Sequence, residues 1–123
     1  MKIEVSNGEI VDKLTILLIK QSKIKNQEKL NNINKEIDMI AKISETIIPR
    51  DHSLFSQLLK VNKKLWDVED WIRAKESRGE FDEAFVDLAR SVYILNDERA
   101  KIKKEINELT RSELVEEKSY EEY

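Results

Sequence analysis

The feature that most constrains the fold is a long apolar repeat in the second half of the chain. Its apolar residues recur at alternating spacings of four and three. This period places them on one stripe of an α-helix, the seam along which antiparallel helices pack. The repeat predicts two long helices with these seams: Leu54, Leu58, Val61, Leu65, Val68 and Ile72; then Phe81, Phe85, Leu88, Val92, Leu95, Ile102, Ile106 and Leu109.

The first half of the chain carries similar but shorter stripes. Ser6 and Glu9 have the spacing of a capping box, which predicts a helix over residues 7–25 preceded by an extended arm over 1–6. The apolar stripe then loses its phase. Because Asn26 is a suitable N-cap, we expect a turn there and a second helix after it; one continuous helix with a stutter is the alternative.

Breaks between the helices are few, since the chain has two glycines and one proline. Pro49 must end the second helix, because the residue before a proline is disfavoured in helical conformation. Asp51 or Ser53 is expected to cap the third helix. His52, the single histidine, is expected to have a capping or exposed role. Gly79 suits the end of that helix. The acidic tail over 110–123 is expected to form a short helix or a strap over the bundle.

Composition supports one all-α domain spanning 1–123, an antiparallel bundle of three or four long helices with a short C-terminal helix or strap. Charged residues make up 38% of the chain and apolar residues 40%, which is typical of exposed, salt-bridge-laced helices. No cysteine is present, so disulfides and thiolate metal sites are excluded and a cytoplasmic location is expected.

Other function classes find little support in the sequence. The longest aliphatic run is Ile16 to Ile19, too short for a membrane span. A net charge of −3 argues against a nucleic-acid partner, because phosphate binding needs a concentrated basic field. Pairs such as Glu9 and Asp12 have the spacing of helical magnesium ligands, but so many acidic residues produce such pairs by chance. We therefore predict no cofactor and no metal.

Arg99 is the most informative polar residue, because it is the one charge in the seam of the last helix. A guanidinium there must be paired, reach outward, or line an anion-binding cavity. We expect an ion pair with Glu69 across the seam, with an anion site as the alternative. Asn96 and Lys103 lie on nearly the same side of the helix and would complete a donor-rich patch.

Asp12 and Lys13 lie among the first apolar turns of the first helix. Helical geometry predicts that Asp12 points largely outward and that Lys13 lies at the flank, where it could join Arg99. The candidate ligand-binding set comprises Lys13, Glu69, Arg73, Asn96, Arg99 and Lys103.

Four long phrases carry a family resemblance: EVSNGEIVDKLTILLIK, LWDVEDWIR, FVDLARSVYILNDERAKIKKEIN and SELVEEKSY. In order and almost end to end, they resemble a family of small uncharacterised bacterial and phage proteins, a domain of unknown function. The resemblance implies no activity and assigns no catalytic residue. Whether the protein is an enzyme is left open.

Two functions are compatible with these features. The leading hypothesis is a binding or assembly module, a homo-oligomer or a partner of another protein, acting through the outer face of the last helix and the acidic tail. Trp71 is a candidate interface residue. The alternative is a binder or enzyme for an anionic, phosphate or nucleotide-like ligand held by Arg99 and Lys103.

Overall fold

The computed structural model describes all 123 residues and contains four α-helices and no strand. The helices are α1 (Asn7–Lys23), α2 (Gln27–Ile47), α3 (Ser53–Ser77) and α4 (Glu83–Leu109). The predicted all-α fold is confirmed. None of the four helices combines the length and apolar character needed to cross a membrane.

Side-chain caps define the starts of α1 and α2. The Ser6 hydroxyl accepts a hydrogen bond from the Glu9 backbone N–H at 3.2 Å, as the capping box predicts. Helix α1 ends at Lys23, two residues earlier than expected, and the Asn26 side chain accepts from the Lys29 N–H at 3.0 Å. The turn at Asn26 is thus confirmed, and the continuous helix is wrong.

The later helix ends are also local in origin. His52 Nδ1 accepts a hydrogen bond from the Leu54 N–H at 3.0 Å, so the histidine caps α3. The expectation of a cap at Asp51 or Ser53 is wrong by one residue. Beyond α3, Gly79 adopts a φ of 65°, the left-handed conformation that favours glycine at a helix end. Asp82 then caps α4 by accepting from the Phe85 N–H at 2.9 Å.

Helix α1 lies at the centre of the bundle. It packs against α2, α3 and α4, whereas α2 approaches only α1, and α3 and α4 form an antiparallel pair. The core joins apolar side chains from all four helices: Val11, Leu14 and Leu17 of α1; Ile33 and Ile37 of α2; Phe55, Leu58 and Val61 of α3; Ile102 and Ile106 of α4. A helix surrounded on several sides must bury more than one face, and this determines where the polar residues of α1 lie.

The C-terminal segment is a strap and not a helix. After α4 the chain turns at Arg111, whose φ is 53°, and residues 112–123 run back along α4 without regular structure. Glu117 lies 3.4 Å from Lys104, and the ring of Tyr123 packs edge-on against Tyr93 with centroids 4.8 Å apart. The tail thus contacts α4 of its own chain, as expected for a strap over the bundle.

The far end of the α3–α4 pair extends beyond the shared core. No residue between Val68 and Leu95 is buried, although this segment carries several large apolar side chains. We call residues 69–94 the distal hairpin. Apart from Tyr93, which contacts Tyr123 of the strap, its two helices pack mainly against each other.

Candidate functional site

The centre of the polar site is the carboxylate of Asp12, which is only 1% exposed. Arg99 binds it with one edge of its guanidinium: Nε donates to Oδ1 at 2.9 Å and Nη2 to Oδ2 at 2.5 Å. This hydrogen bonding raises the pKa of Arg99, despite the opposing effect of burial. The prediction that Asp12 points outward is wrong, because α3 and α4 cover that side of α1.

Asn62 and Thr15 complete the coordination of Asp12. Asn62 Nδ2 donates to Asp12 Oδ1 at 2.9 Å and to Thr15 Oγ1 at 2.8 Å, and the Thr15 hydroxyl donates to the Asp12 backbone carbonyl at 2.7 Å. A carboxylate only accepts, so the amide nitrogen of Asn62 must face Asp12. Its amide oxygen therefore faces the other way and accepts no hydrogen bond.

Lys103 forms a second buried ionic contact one turn along α4, and its residue is 7% exposed. Its Nζ donates to Glu9 Oε2 at 2.7 Å and to Glu116 Oε2 at 2.9 Å. Burial alone would lower the pKa of Lys103, but the hydrogen bonds to the two carboxylates outweigh it and the pKa is raised. Lys103 thus joins α1, α4 and the strap.

The N-terminus of α1 is docked against the C-terminal end of α4. The Gly8 N–H donates to Asn107 Oδ1 at 2.6 Å, and the Asn7 N–H donates to the Ser112 hydroxyl at 2.9 Å. The next N–H is occupied by the capping serine, Ser6. Because the free N–H groups of a helix start are all bonded here, this end of α1 is a structural joint and offers no anion site.

The expected ion pair between Arg99 and Glu69 is wrong. Glu69 instead accepts from Arg73 Nε at 2.9 Å, an exposed pair within α3. Lys13 lies on the side of α1 that faces α2, 3.3 Å from Glu36, and does not reach Arg99. The helical wheel gave the direction of Lys13 and Arg99 around their helices correctly. It could not give the partner of either residue, because the partner depends on which helix packs opposite.

A groove of about 330 Å³ opens beside Asp12, between α1, α3 and α4. We call it the Trp66 groove. Three of the candidate residues, Glu69, Asn96 and Arg99, line it together, and the other three lie elsewhere. The remaining polar and aromatic lining comes from Asn62, Trp66 and Asp70, over aliphatic walls from all three helices.

The carboxylates considered as metal ligands do not converge. Asp12 is bonded to Arg99 and Glu9 to Lys103. No group of three or more histidine, aspartate or glutamate side chains is placed to hold a metal ion.

The chain belongs to a family of unknown function, DUF6165, whose match extends over residues 1–123. The predicted resemblance to an uncharacterised family is thereby confirmed, and it assigns no activity. Comparison with curated proteins and with solved structures found no match.

Acid is expected to release the strap from Lys103. The hydrogen bond from Lys103 lowers the pKa of Glu116 below its ordinary value of 4.5. A depressed carboxyl pKa contributes stability that is complete above the ordinary value and is lost as the pH falls through the lowered one. Carbonyl-detected NMR should show Glu116 titrating below 4.5 in the wild type, and near it in Lys103→Met. An ordinary Glu116 titration in the wild type would contradict the contact.

Proposed function

We propose that the protein is an assembly module that pairs with a second copy of itself through the distal hairpin. The observation that supports this most is its exposed area of 8802 Å². A compact monomer of 14.5 kDa exposes about 6,900 Å². The excess, about 1,900 Å², is well above the ~800 Å² per partner that a standard protein interface buries.

Five of the fifteen large apolar side chains that are exposed lie on the distal hairpin. Trp71 is 55% exposed and Phe81 61%, and Val86 on α4 is exposed as well. Trp71 also borders a shallow, mainly apolar groove between α3 and α4 that includes Ala74 and Leu88. Tryptophan is one of the residues most enriched at interface hot spots, where it packs into pockets of the partner.

The charges of the hairpin favour a second copy over a strongly charged partner. Lys75 contacts both Glu80 and Asp82, at 3.4 and 3.0 Å, and Arg78 contacts Glu80 at 2.8 Å. These cations are already neutralised within the hairpin. Its apolar face is therefore the part of the hairpin that would drive association. A twofold pair can bury the same face on both protomers, which is the commonest oligomer symmetry.

Lys103 and Arg99 give less support to the alternative of an anionic ligand. Both cations contact carboxylates of this same chain, Lys103 with Glu9 and Glu116, and Arg99 with Asp12. An incoming phosphate would have to displace these carboxylates. Displacing Asp12 would leave a buried carboxylate without its cation, which is costly.

Trp71→Glu is expected to convert a dimer to a monomer. Light scattering should give the wild type twice its 14.5 kDa chain mass and the variant a single chain mass, because the glutamate would be desolvated at the interface. Helical circular dichroism should be unchanged, since Trp71 is exposed in the single chain.

Met39→Glu is the matched control, because Met39 is 67% exposed on α2, away from the hairpin. It should remain dimeric. A stable dimer with a dissociation constant of about 1 µM or tighter is almost fully associated at about 100 µM protein. A wild type that is monomeric at that concentration, or a Trp71→Glu variant that remains dimeric, would refute the proposal.

A further inference from the structure

We propose that the Trp66 groove binds a small, uncharged planar molecule that presents a hydrogen-bond donor and an acceptor side by side, as amides and nucleobases do. This inference does not rest on the proposed dimer, although Glu69, Asp70 and Val92 of the distal hairpin line one end of the groove. It rests on the hydrogen-bonding groups left free inside the groove, on the charge balance around them, and on one aromatic wall.

The free acceptor is the amide oxygen of Asn62. The residue is 5% exposed, its orientation is fixed by the two hydrogen bonds that its nitrogen donates, and its oxygen accepts none. Ser44 Oγ is the only fully enclosed side-chain polar atom without a partner, so the Asn62 oxygen reaches open space. Asn62 lines the groove, and we infer that its oxygen faces it. Buried polar groups of this kind are normally satisfied, and here a ligand could satisfy it.

The free donor is Nη1 of Arg99. Only Nε and Nη2 bind Asp12, which leaves the third nitrogen of the guanidinium without a partner. Arg99 Nε and Asn62 Nδ2 donate to the same oxygen, Asp12 Oδ1, which holds the guanidinium and the amide side by side. The proposed ligand would offer an acceptor to Arg99 Nη1 and a donor to the Asn62 oxygen.

The charges around the groove exclude strongly charged ligands. The positive charge of Arg99 is compensated by Asp12, while Glu69 and Asp70 lie on the lining. An anion would meet these carboxylates and the Asn62 oxygen, whereas a cationic group that only donates would leave Arg99 Nη1 without an acceptor. A neutral edge avoids both penalties.

Trp66 supplies the stacking surface. It is half-buried and lines the groove, whereas Trp71 is more exposed and lines a different groove. A volume of about 330 Å³ is at the lower end of the range for small-molecule sites, which suits a single ring or a fused pair.

Three probes with the same ring separate the possibilities. Benzamide carries a donor and an acceptor, benzoate carries acceptors with negative charge, and benzamidinium carries donors with positive charge. NMR titration should show saturable shifts of the Asn62 and Asn96 side-chain amides with benzamide, and affinities at least about fivefold weaker for both ions, a difference typical of one lost polar contact. Saturation by adenine but weaker binding of adenosine monophosphate would identify a free base as the source of this chemistry.

Trp66→Leu should weaken benzamide about tenfold, the loss expected for one stacked ring, and Trp71→Leu is the matched control that should leave it unchanged. The proposal fails if neither benzamide nor adenine saturates the groove. It also fails if either ion binds as tightly as benzamide, or if Trp66→Leu has no effect while the variant retains its helical circular dichroism.

Discussion

Replacing Arg99 with methionine is expected to lower the free energy of unfolding by about 3–5 kcal/mol, the usual cost of removing one partner from a buried ion pair. Asp12 is 1% exposed and would remain enclosed after the substitution. Its carboxylate would lose two of its three hydrogen-bond donors and retain only Asn62. Urea denaturation followed by circular dichroism measures the change.

Two further variants establish the cause. Arg73→Met removes an exposed pair with Glu69 and should cost about 1 kcal/mol or less. Asp12→Leu combined with Arg99→Met removes both charges, and it should be clearly more stable than Arg99→Met alone, since a buried pair exchanged for apolar side chains is often nearly neutral. Equal costs for Arg99→Met and Arg73→Met would contradict a buried network.

Most of the helix ends could be predicted because their determinants are local. The start of α4 is an exception, since Phe81 was expected in its seam but precedes the capping residue Asp82. The spacing of apolar residues sets the helical period, and the caps at Ser6, Asn26 and His52 lie within three residues of the N–H groups that they satisfy. The end of α3 before Gly79 follows from one backbone conformation. None of these inferences requires knowledge of which helices are neighbours.

The polar network could not be predicted in the same way. A helical wheel shows that Asp12 points away from Leu14. A side chain that points away from the core is exposed to solvent only when no other helix covers that side. Helix α1 is covered by three other helices. A signal was present, because Asp12, Ile16 and Ile19 form a second stripe at spacings of four and three, typical of a helix with two buried faces.

The partner of Arg99 depended on the relative register of the helices. The sequence placed Arg99 in the seam and Asn62 near the facing seam, and both lie by the same groove. Choosing Asp12 over Glu69 required the position of α1 between α3 and α4, which is set by long-range packing. Sequence patterns identify faces well, while pairings across faces arise from the tertiary arrangement.

Gly8 is another residue whose role depends on tertiary contact. Within a helix, glycine is less favourable than alanine by about 1 kcal/mol of helix-forming free energy. Helix propensity alone therefore predicts that Gly8→Ala stabilises the protein. The structure predicts the opposite. A Cβ at position 8 would lie 2.5 Å from the backbone oxygen of Lys103 and 3.0 Å from Asn107 Oδ1.

Gly8→Ala is therefore expected to lower the free energy of unfolding by about 1–3 kcal/mol, the range for overpacking a closed contact. The obstructing oxygen belongs to the backbone of α4, so relief requires separation of α1 from α4. That movement would stretch the 2.6 Å hydrogen bond from the Gly8 N–H to Asn107 and the contact of Lys103 with Glu9. Thermal and urea unfolding measure the loss.

Gly79→Ala distinguishes close contact from backbone strain. Gly79 has a φ of 65°, but a Cβ added there would meet nothing within 4 Å. Alanine at this position should therefore cost only the left-handed penalty of about 1–2 kcal/mol and leave the Gly8 amide signal unmoved. Gly8→Ala should instead shift the amide signals of residues 103 and 107 on α4, which the added Cβ would contact. A stabilised Gly8→Ala variant would mean that α1 and α4 are not in close contact at Gly8. This contact would then not be what holds Asp12 beside Arg99.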